Sequence, residues 1–213
     1  MNTEPDTRQS SLFQTSWQRS WAALGLTPPA DLQQRLLAAY AQPQRHYHTQ
    51  QHLTECLTHF DAVWQQAQRP GEVAMALWFH DAIYDIKAQD NELRSAQWAV
   101  QALKNSGATD EICQRVHALI MATCHTAPPT EASIEADAKL LVDIDLAILG
   151  ASPARFAEYD AQVAAEYAWV PRLVYRFKRK QVLQSFLQRD AIYATPHFHQ
   201  LLEAQARRNL SQT

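Results

Sequence analysis

The sequence predicts an all-α fold, a single-domain helical bundle, and three observations support this prediction. The 213 residues include only 4 glycines, whereas Ala, Leu and Gln, which favour helices, are abundant. Apolar residues recur every three or four positions, and we find no alternating strand pattern of useful length. The proline breaks are spread evenly, which is typical of elements in one bundle rather than of domain linkers. We therefore expect one domain at 11–213 after a disordered polar tail at 1–10.

In the first part of the chain, the breaks and the apolar spacing predict six helices. Pro28-Pro29 ends the first helix, and Asp31 can cap the second. A histidine-rich segment at 45–52 forms a loop that leads into the third helix. Pro70-Gly71 is a turn before the fourth, which delivers His80 and Asp81 near its end. The predicted helices cover 11–26, 31–40, 53–64, 72–81, 90–105 and 110–123.

In the rest of the chain, the breaks and the apolar spacing predict four more helices. Pro128-Pro129 lies in a connector, and Gly150 closes the helix that follows it. Pro153 occupies the first position of the next helix, which suits its fixed backbone angle. Pro171 then separates this helix from one that extends to Leu187. The predicted helices cover 134–149, 152–169, 172–187 and 196–209.

Composition and charge exclude several functional classes. The formal net charge of −3 gives no overall attraction to a nucleic acid duplex or to a membrane. The three cysteines form no CxxC pair, which favours a reducing compartment over a disulfide framework or a zinc ribbon. We see no signal peptide and no apolar run near the roughly 20 residues of a membrane helix. We therefore expect a cytoplasmic protein; its oligomeric state is open, with a homodimer as one option.

The pair His80-Asp81 is the most informative motif because it ends an otherwise apolar helical run. Charged groups are seldom buried without a partner, and a divalent metal takes both imidazole nitrogen and carboxylate oxygen as ligands. Further ligands occur elsewhere in the chain, at His52 and at either Asp143 or Asp145. A helical bundle can bring such groups together from facing helices. These side chains suit Mg, Mn, Fe or Co and leave positions open for water and substrate.

The order of these residues resembles the HD-domain superfamily of metal-dependent phosphohydrolases, and most closely a bacterial subfamily of predicted metal-dependent phosphohydrolases. The resemblance extends from about residue 40 to 210. It rests on stretches at 45–53, 78–85, 90–96, 143–150 and 166–170. It implies that His52, His80, Asp81 and Asp145 ligate the metal. Asp145 is preferred over Asp143 because the last ligand of the superfamily usually precedes Leu or Arg-Leu.

The resemblance further implies hydrolysis of a small phosphate ester, such as a nucleotide or a related metabolite, by metal-activated water. Asp85 lies four residues after Asp81 and could act as general base if the helix continues. His48 and Arg45 could bind the transferred phosphate, Arg45 through a forked pair of hydrogen bonds. Lys87 and Arg94 are weaker candidates for the same task.

Two other functions remain open. The family pattern leads us to expect an Arg shortly before Glu166, where this chain has Ala164-Ala165. This difference motivates a non-catalytic sensor that binds metal and nucleotide. A di-iron oxygenase would need additional ligands between the His80-Asp81 pair and the last Asp, and His117 and His125 lie in that interval.

Overall fold

The computed structural model describes residues 7–124 and 134–212, and these residues form α-helices joined by short connections, with no β-strand among them. The predicted all-α class is therefore confirmed. Two short 3-10 helices, Trp64–Gln66 and Leu146–Gly150, directly follow longer helices. The α-helices of the described residues are α1 (Thr7–Leu24), α2 (Leu32–Tyr40), α3 (Gln50–Val63), α4 (Pro70–Phe79), α5 (Asn91–Asn105), α6 (Asp110–Met121), α7 (Glu135–Asp145), α8 (Pro153–Glu166), α9 (Arg172–Leu187) and α10 (Pro196–Ser211).

The first helix begins earlier than predicted. α1 starts at Thr7, so residues 7–10 of the expected disordered tail are helical, and residues 1–6 lie outside the described part. The Gln9 side-chain amide donates to the Thr54 hydroxyl over 2.8 Å and to the Gln50 carbonyl over 3.3 Å. These contacts join positions more than forty residues apart, so local composition gave no sign of them.

The fold consists of two compact units, and their organisation as one domain stays a prediction. The first unit comprises the described part of Met1–Gln42 together with His48–Leu141, and the second comprises Pro43–Tyr47 and Val142–Thr213. Helix α7 begins in the first unit and ends in the second. None of the described helices has the length and apolar character that a membrane crossing requires.

Helix α4 is the centre of the first unit because every residue from Gly71 to Phe79 is buried. A helix that is apolar on all sides must be surrounded by other elements, and α1, α3, α5 and α6 all pack against it. On α1, Trp17 meets the Trp78 ring edge-to-face with centroids 5.0 Å apart. A Cβ at Gly71 would lie only 3.1 Å from side-chain atoms of Ala23 and Leu24, so a glycine permits the close approach of α1 and α4.

In the second unit, α10 packs on the 3-10 helix Leu146–Gly150. The Asn209 amide donates to the carbonyls of Leu149 and Ala151, each over 2.9 Å. A Cβ at Gly150 would lie 2.6 Å from the Leu202 Cβ, which explains why this position requires glycine. The sequence predicted one continuous helix over 134–149, but the α-helix ends at Asp145 and the tighter 3-10 helix follows.

Helix α9 buries only some of its apolar residues. Leu183 and Phe186 are buried, whereas Val174 and Phe177 are exposed. Packing within the second unit therefore determines which apolar face of α9 is buried.

Candidate metal site

His80 and Asp81 lie directly after the last residue of α4. The His80 backbone N–H donates to the Ala76 carbonyl over 2.8 Å, which continues the helical hydrogen bonding by one residue. Tyr40, fully buried at the end of α2, donates its hydroxyl to the Trp78 carbonyl and accepts the Asp81 N–H, both over 3.3 Å. The buried α4 and the Tyr40 hydroxyl thus fix the backbone that carries the pair.

His52 comes from the first turn of α3. Thr49 caps this helix, since its hydroxyl accepts the Gln51 N–H over 3.3 Å. The cap sets where α3 begins and therefore which face carries His52. His52 and His80 are 2% and 1% exposed.

Three donor atoms converge in the first unit. The Nε2 atoms of His52 and His80 are 3.1 Å apart. The Asp81 Oδ2 lies 3.5 Å from the His52 Nε2 and 3.2 Å from the His80 Nε2. Adjacent donors about 2.1 Å from one ion are about 3.0 Å apart in an octahedron and about 3.4 Å apart in a tetrahedron. The three distances therefore match one face of either coordination geometry.

A backbone hydrogen bond selects the His80 tautomer. The His80 Nδ1 lies 2.8 Å from the Leu77 carbonyl oxygen, which accepts a hydrogen bond but cannot donate one. Nδ1 therefore carries a proton, and Nε2 is the ring nitrogen that faces His52 and Asp81. Such a bond from the second ring nitrogen commonly orients metal-ligating histidines.

The Asp81 carboxyl is held in its charged form. Burial alone would raise its pKa, but attraction to His80 and His48 and hydrogen bonds from His52 and His80 outweigh burial. The pKa of Asp81 therefore lies well below its ordinary value. A half-buried carboxylate that stays ionised beside imidazole nitrogens has the charge and the donor types that a divalent cation requires.

Sequence reasoning missed one neighbour of this site, the buried thiol of Cys56. His52, Cys56 and His80 offer donor atoms within 4.8 Å of one another. The Cys56 Sγ lies 3.7 Å from the His52 Nε2 and 3.8 Å from Nδ1. Because the Nε2 lone pair points away from Nδ1, nearly equal distances place the sulfur beside the ring and not along that lone pair. Its spacing of four residues from His52 was the available sequence signal.

His48 also borders the site. Its ring meets the His52 ring edge-on, with centroids 6.0 Å apart, and stacks on the Tyr84 ring with centroids 4.0 Å apart at 26°. The structure therefore brings together four of the predicted residues in the first unit: His48, His52, His80 and Asp81. Tyr84 was not predicted as a neighbour of the site.

Asp85 is not placed as its spacing suggested. Its spacing of four residues from Asp81 would place Asp85 on the same face only if α4 continued, but α4 ends at Phe79 and a loop follows. The Asp85 side chain is exposed and accepts the Lys87 N–H over 3.0 Å, within this loop. The helical argument for Asp85 is therefore wrong, and its role as general base stays a prediction.

Asp143, the alternative to Asp145 in the sequence, is engaged in hydrogen bonds within the second unit. Asp143 is 1% exposed and accepts the N–H groups of Ala194 and Thr195 over 2.9 and 2.7 Å. It also accepts the Thr195 hydroxyl over 2.6 Å. Both oxygens of Asp143 are thus used at the start of α10. Asp145, half-buried at the end of α7, stays the predicted ligand.

Arg45 is buried, on the segment Pro43–Tyr47 of the second unit. Glu166, also buried, fixes this segment because one carboxylate oxygen accepts the N–H groups of both His46 and Tyr47 over 2.8 Å. Glu166 is one of the residues on which the family resemblance rests, and the structure gives it this structural task. The phosphate-binding role of Arg45 stays a prediction.

Comparison with family models, curated proteins and solved structures gives no match. The donor atoms of the site therefore indicate what it could bind. Two buried imidazoles and a half-buried, ionised carboxylate in one cluster fit a divalent metal ion, with Mg, Mn, Fe and Co as the candidates. His117, on α6, is outside the single group of metal-binding side chains found among the described residues, and His125 lies outside those residues.

Proposed function

We propose that this chain is a metal-dependent phosphohydrolase of the HD-domain superfamily, acting on a small phosphate ester such as a nucleotide or a related metabolite. The observation that carries the proposal is the convergence of the His52 Nε2, His80 Nε2 and Asp81 Oδ2 within 3.5 Å of one another. The family resemblance of the sequence supplies the reaction class and the substrate class.

A divalent cation held by His52, His80 and Asp81, with Asp145 as the sequence-predicted fourth ligand, supplies Lewis acidity that polarises a phosphoryl oxygen and acidifies water. Hydrogen bonds within the protein orient His80 and Asp81 before a metal binds. The Leu77 carbonyl keeps the proton of His80 on Nδ1, and the Tyr40 hydroxyl holds the backbone of Asp81. Little rearrangement of these side chains is then needed when the site is loaded.

Hydrolysis forms a bond from a water oxygen to phosphorus and breaks the ester P–O bond, and the alcohol leaves with a proton. His48, beside the site, donates a hydrogen bond to a phosphate oxygen in this proposal. Arg45 adds a forked pair of donors to the same phosphate. Asp85 accepts the proton of the attacking water, and this assignment rests on the sequence alone.

The test is turnover of p-nitrophenyl phosphate, bis(p-nitrophenyl) phosphate and a panel of nucleotides by chelator-treated protein supplied with Mg, Mn, Fe or Co. We expect product release only with added metal. His80→Ala should lower kcat/KM by roughly 10³-fold, because a lost ligand removes several kcal/mol of electrostatic stabilisation.

His59→Ala provides a matched control, since His59 lies on the same helix as His52, seven residues later. We expect its activity to equal that of the wild type. Metal binding without turnover of any probe would contradict the hydrolase proposal. Thermal stabilisation by a nucleotide in that case would favour the sensor. Equal activity of His80→Ala and wild type would show that hydrolysis does not depend on this site.

A further inference from the structure

The loop between α4 and α5 is bonded on both sides of Tyr84. The Ile83 N–H donates to the Ser95 hydroxyl over 3.0 Å, and that hydroxyl donates to the Ile83 carbonyl over 3.3 Å. The Asp85 N–H donates to the Asn91 Oδ1, and the Asn91 Nδ2 donates to the Asp85 carbonyl, both over 2.9 Å. The backbone N–H and carbonyl groups of Ile83 and of Asp85, on either side of Tyr84, are thus all hydrogen-bonded to α5.

Asn91 and Ser95 are four residues apart on α5, so they share one face of that helix. Ser95 is fully buried. In a regular helix or strand the backbone N–H and carbonyl groups of the loop would bond to other backbone groups; here the side chains of Asn91 and Ser95 take that place. Tyr84 therefore cannot shift along the loop without breaking hydrogen bonds to α5.

The ring of Tyr84 in turn contacts the site. It stacks on His48 with centroids 4.0 Å apart and an interplanar angle of 26°, and His48 meets the ring of His52. Stacking over one face of an imidazole restricts its tilt and leaves the ring edge, which carries both nitrogens, able to face a ligand. The orientation of His48 is thus linked to α5 through Tyr84.

We propose that Tyr84 is a positioning residue that orients His48 toward the bound phosphate, and that Asn91 and Ser95 hold Tyr84 in place for this task. The inference rests on the proposed function, because it assumes that His48 contacts phosphate beside a metal. A purely structural loop would instead lower stability when altered and leave anion binding unchanged.

The experiment measures the Kd of inorganic phosphate by calorimetry on the metal-loaded protein, with metal content determined in parallel. Tyr84→Leu should weaken phosphate binding roughly 3- to 10-fold, the range of one aromatic stack, with metal content unchanged. Tyr84→Phe keeps the ring and should restore wild-type affinity within about twofold. Tyr175→Leu is the matched control, since Tyr175 stacks on Tyr167 in the second unit, and it should bind phosphate normally.

The link to α5 is tested by a double-mutant cycle. Ser95→Ala alone should weaken phosphate binding, but it should add nothing in the Tyr84→Leu background, because both changes release the same ring. Additive effects would overturn the link. Unchanged affinity in Tyr84→Leu, or equal loss in Tyr84→Phe, would overturn the role of the ring.

Results for the wild type separate this inference from the proposed function. Metal binding without phosphate binding would overturn the role of His48 and this inference, while the metal site would stand. Binding of metal and phosphate without turnover of any ester would contradict the hydrolase, and the comparison of Tyr84 variants could still be read. Absence of metal binding would overturn both proposals.

Discussion

Asp81 in the first unit is half-buried and Asp143 in the second is buried, and the neighbours of the two carboxylates differ in kind. Asp143 faces two backbone N–H groups and a hydroxyl, whereas Asp81 Oδ2 faces two imidazole nitrogens. Burial raises the pKa of Asp143 despite its hydrogen bonds, whereas the histidines lower that of Asp81. The hydrogen-bond and charge partners of a carboxylate thus indicate whether it serves the fold or a ligand.

Three other buried carboxylates follow the pattern of Asp143. Each accepts the N–H groups of two successive residues: Asp137 those of Gln68 and Arg69, Glu166 those of His46 and Tyr47, and Glu203 those of Ile192 and Tyr193. We call Asp137, Asp143, Glu166 and Glu203 the amide-bound carboxylates. They satisfy backbone donors that would otherwise be buried unpaired, and they hold irregular segments against helices. The comparison with Asp81 predicts different responses to metal, substitution and pH.

The largest expected effect is stabilisation by metal. A divalent ion at 100 times its Kd should raise the free energy of unfolding of the wild type by about 2.7 kcal/mol, because only the folded state assembles the ligands. Asp81→Asn should lose most of this gain, since an amide is a weaker ligand without charge. Thermal denaturation with and without added metal checks the prediction. A full metal-dependent shift in Asp81→Asn would break the distinction between the two kinds of carboxylate.

The next effect concerns an amide-bound carboxylate. Asp143→Asn replaces one acceptor oxygen by an amide donor that faces the N–H group of either Ala194 or Thr195, so we expect a loss of about 2 kcal/mol in the free energy of unfolding. For a chain of this length the Tm should fall by roughly 4–8 °C. Metal content of the folded variant should match that of the wild type. A loss of metal without a loss of stability would instead identify Asp143 as a ligand.

The smallest effect is a pH dependence from Glu203. Burial would raise its pKa, but N–H groups of Ile192 and Tyr193 and the Arg207 guanidinium outweigh burial and lower it from 4.5. The carboxylate therefore stabilises the fold above pH about 4.5, and this contribution is lost as the pH falls through the lower folded-state pKa. The Tm of Glu203→Gln should depend less on pH in this acid range than that of the wild type. Parallel curves for the two proteins would refute the assignment.

Much of the fold could be predicted from the sequence because its signals are local. Pro153 and Pro196 occupy the first position of a helix as predicted, whereas Pro70, predicted in a turn, is the first residue of α4. The stripe of Phe13, Trp17 and Trp21 is buried as its spacing indicates. The helical start at Thr7 was missed because it depends on tertiary contacts, and the face that α9 buries depends on such contacts too. Propensity gives no information about such contacts.

The candidate site was predicted in part for the same reason. The order of His52, His80 and Asp81 was visible in the sequence, and the structure brings these side chains together. The neighbours Cys56 and Tyr84 were not predicted, because only packing places a thiol or a phenol ring against an imidazole. The role of Asp143 also depends on packing, since its hydrogen-bond donors lie about fifty residues later in the chain.

The central claim is that His52, His80 and Asp81 form a metal site, and metal content tests it most directly. Wild type, His80→Ala, Asp81→Ala and the control His59→Ala should be loaded with each divalent ion in turn, freed of excess ion and analysed by elemental mass spectrometry. The account predicts about one ion per chain in wild type and in His59→Ala, and loss of the ion in both site variants. Two irons per wild-type chain would favour the oxygenase. No bound ion in the wild type under any loading condition would contradict the account.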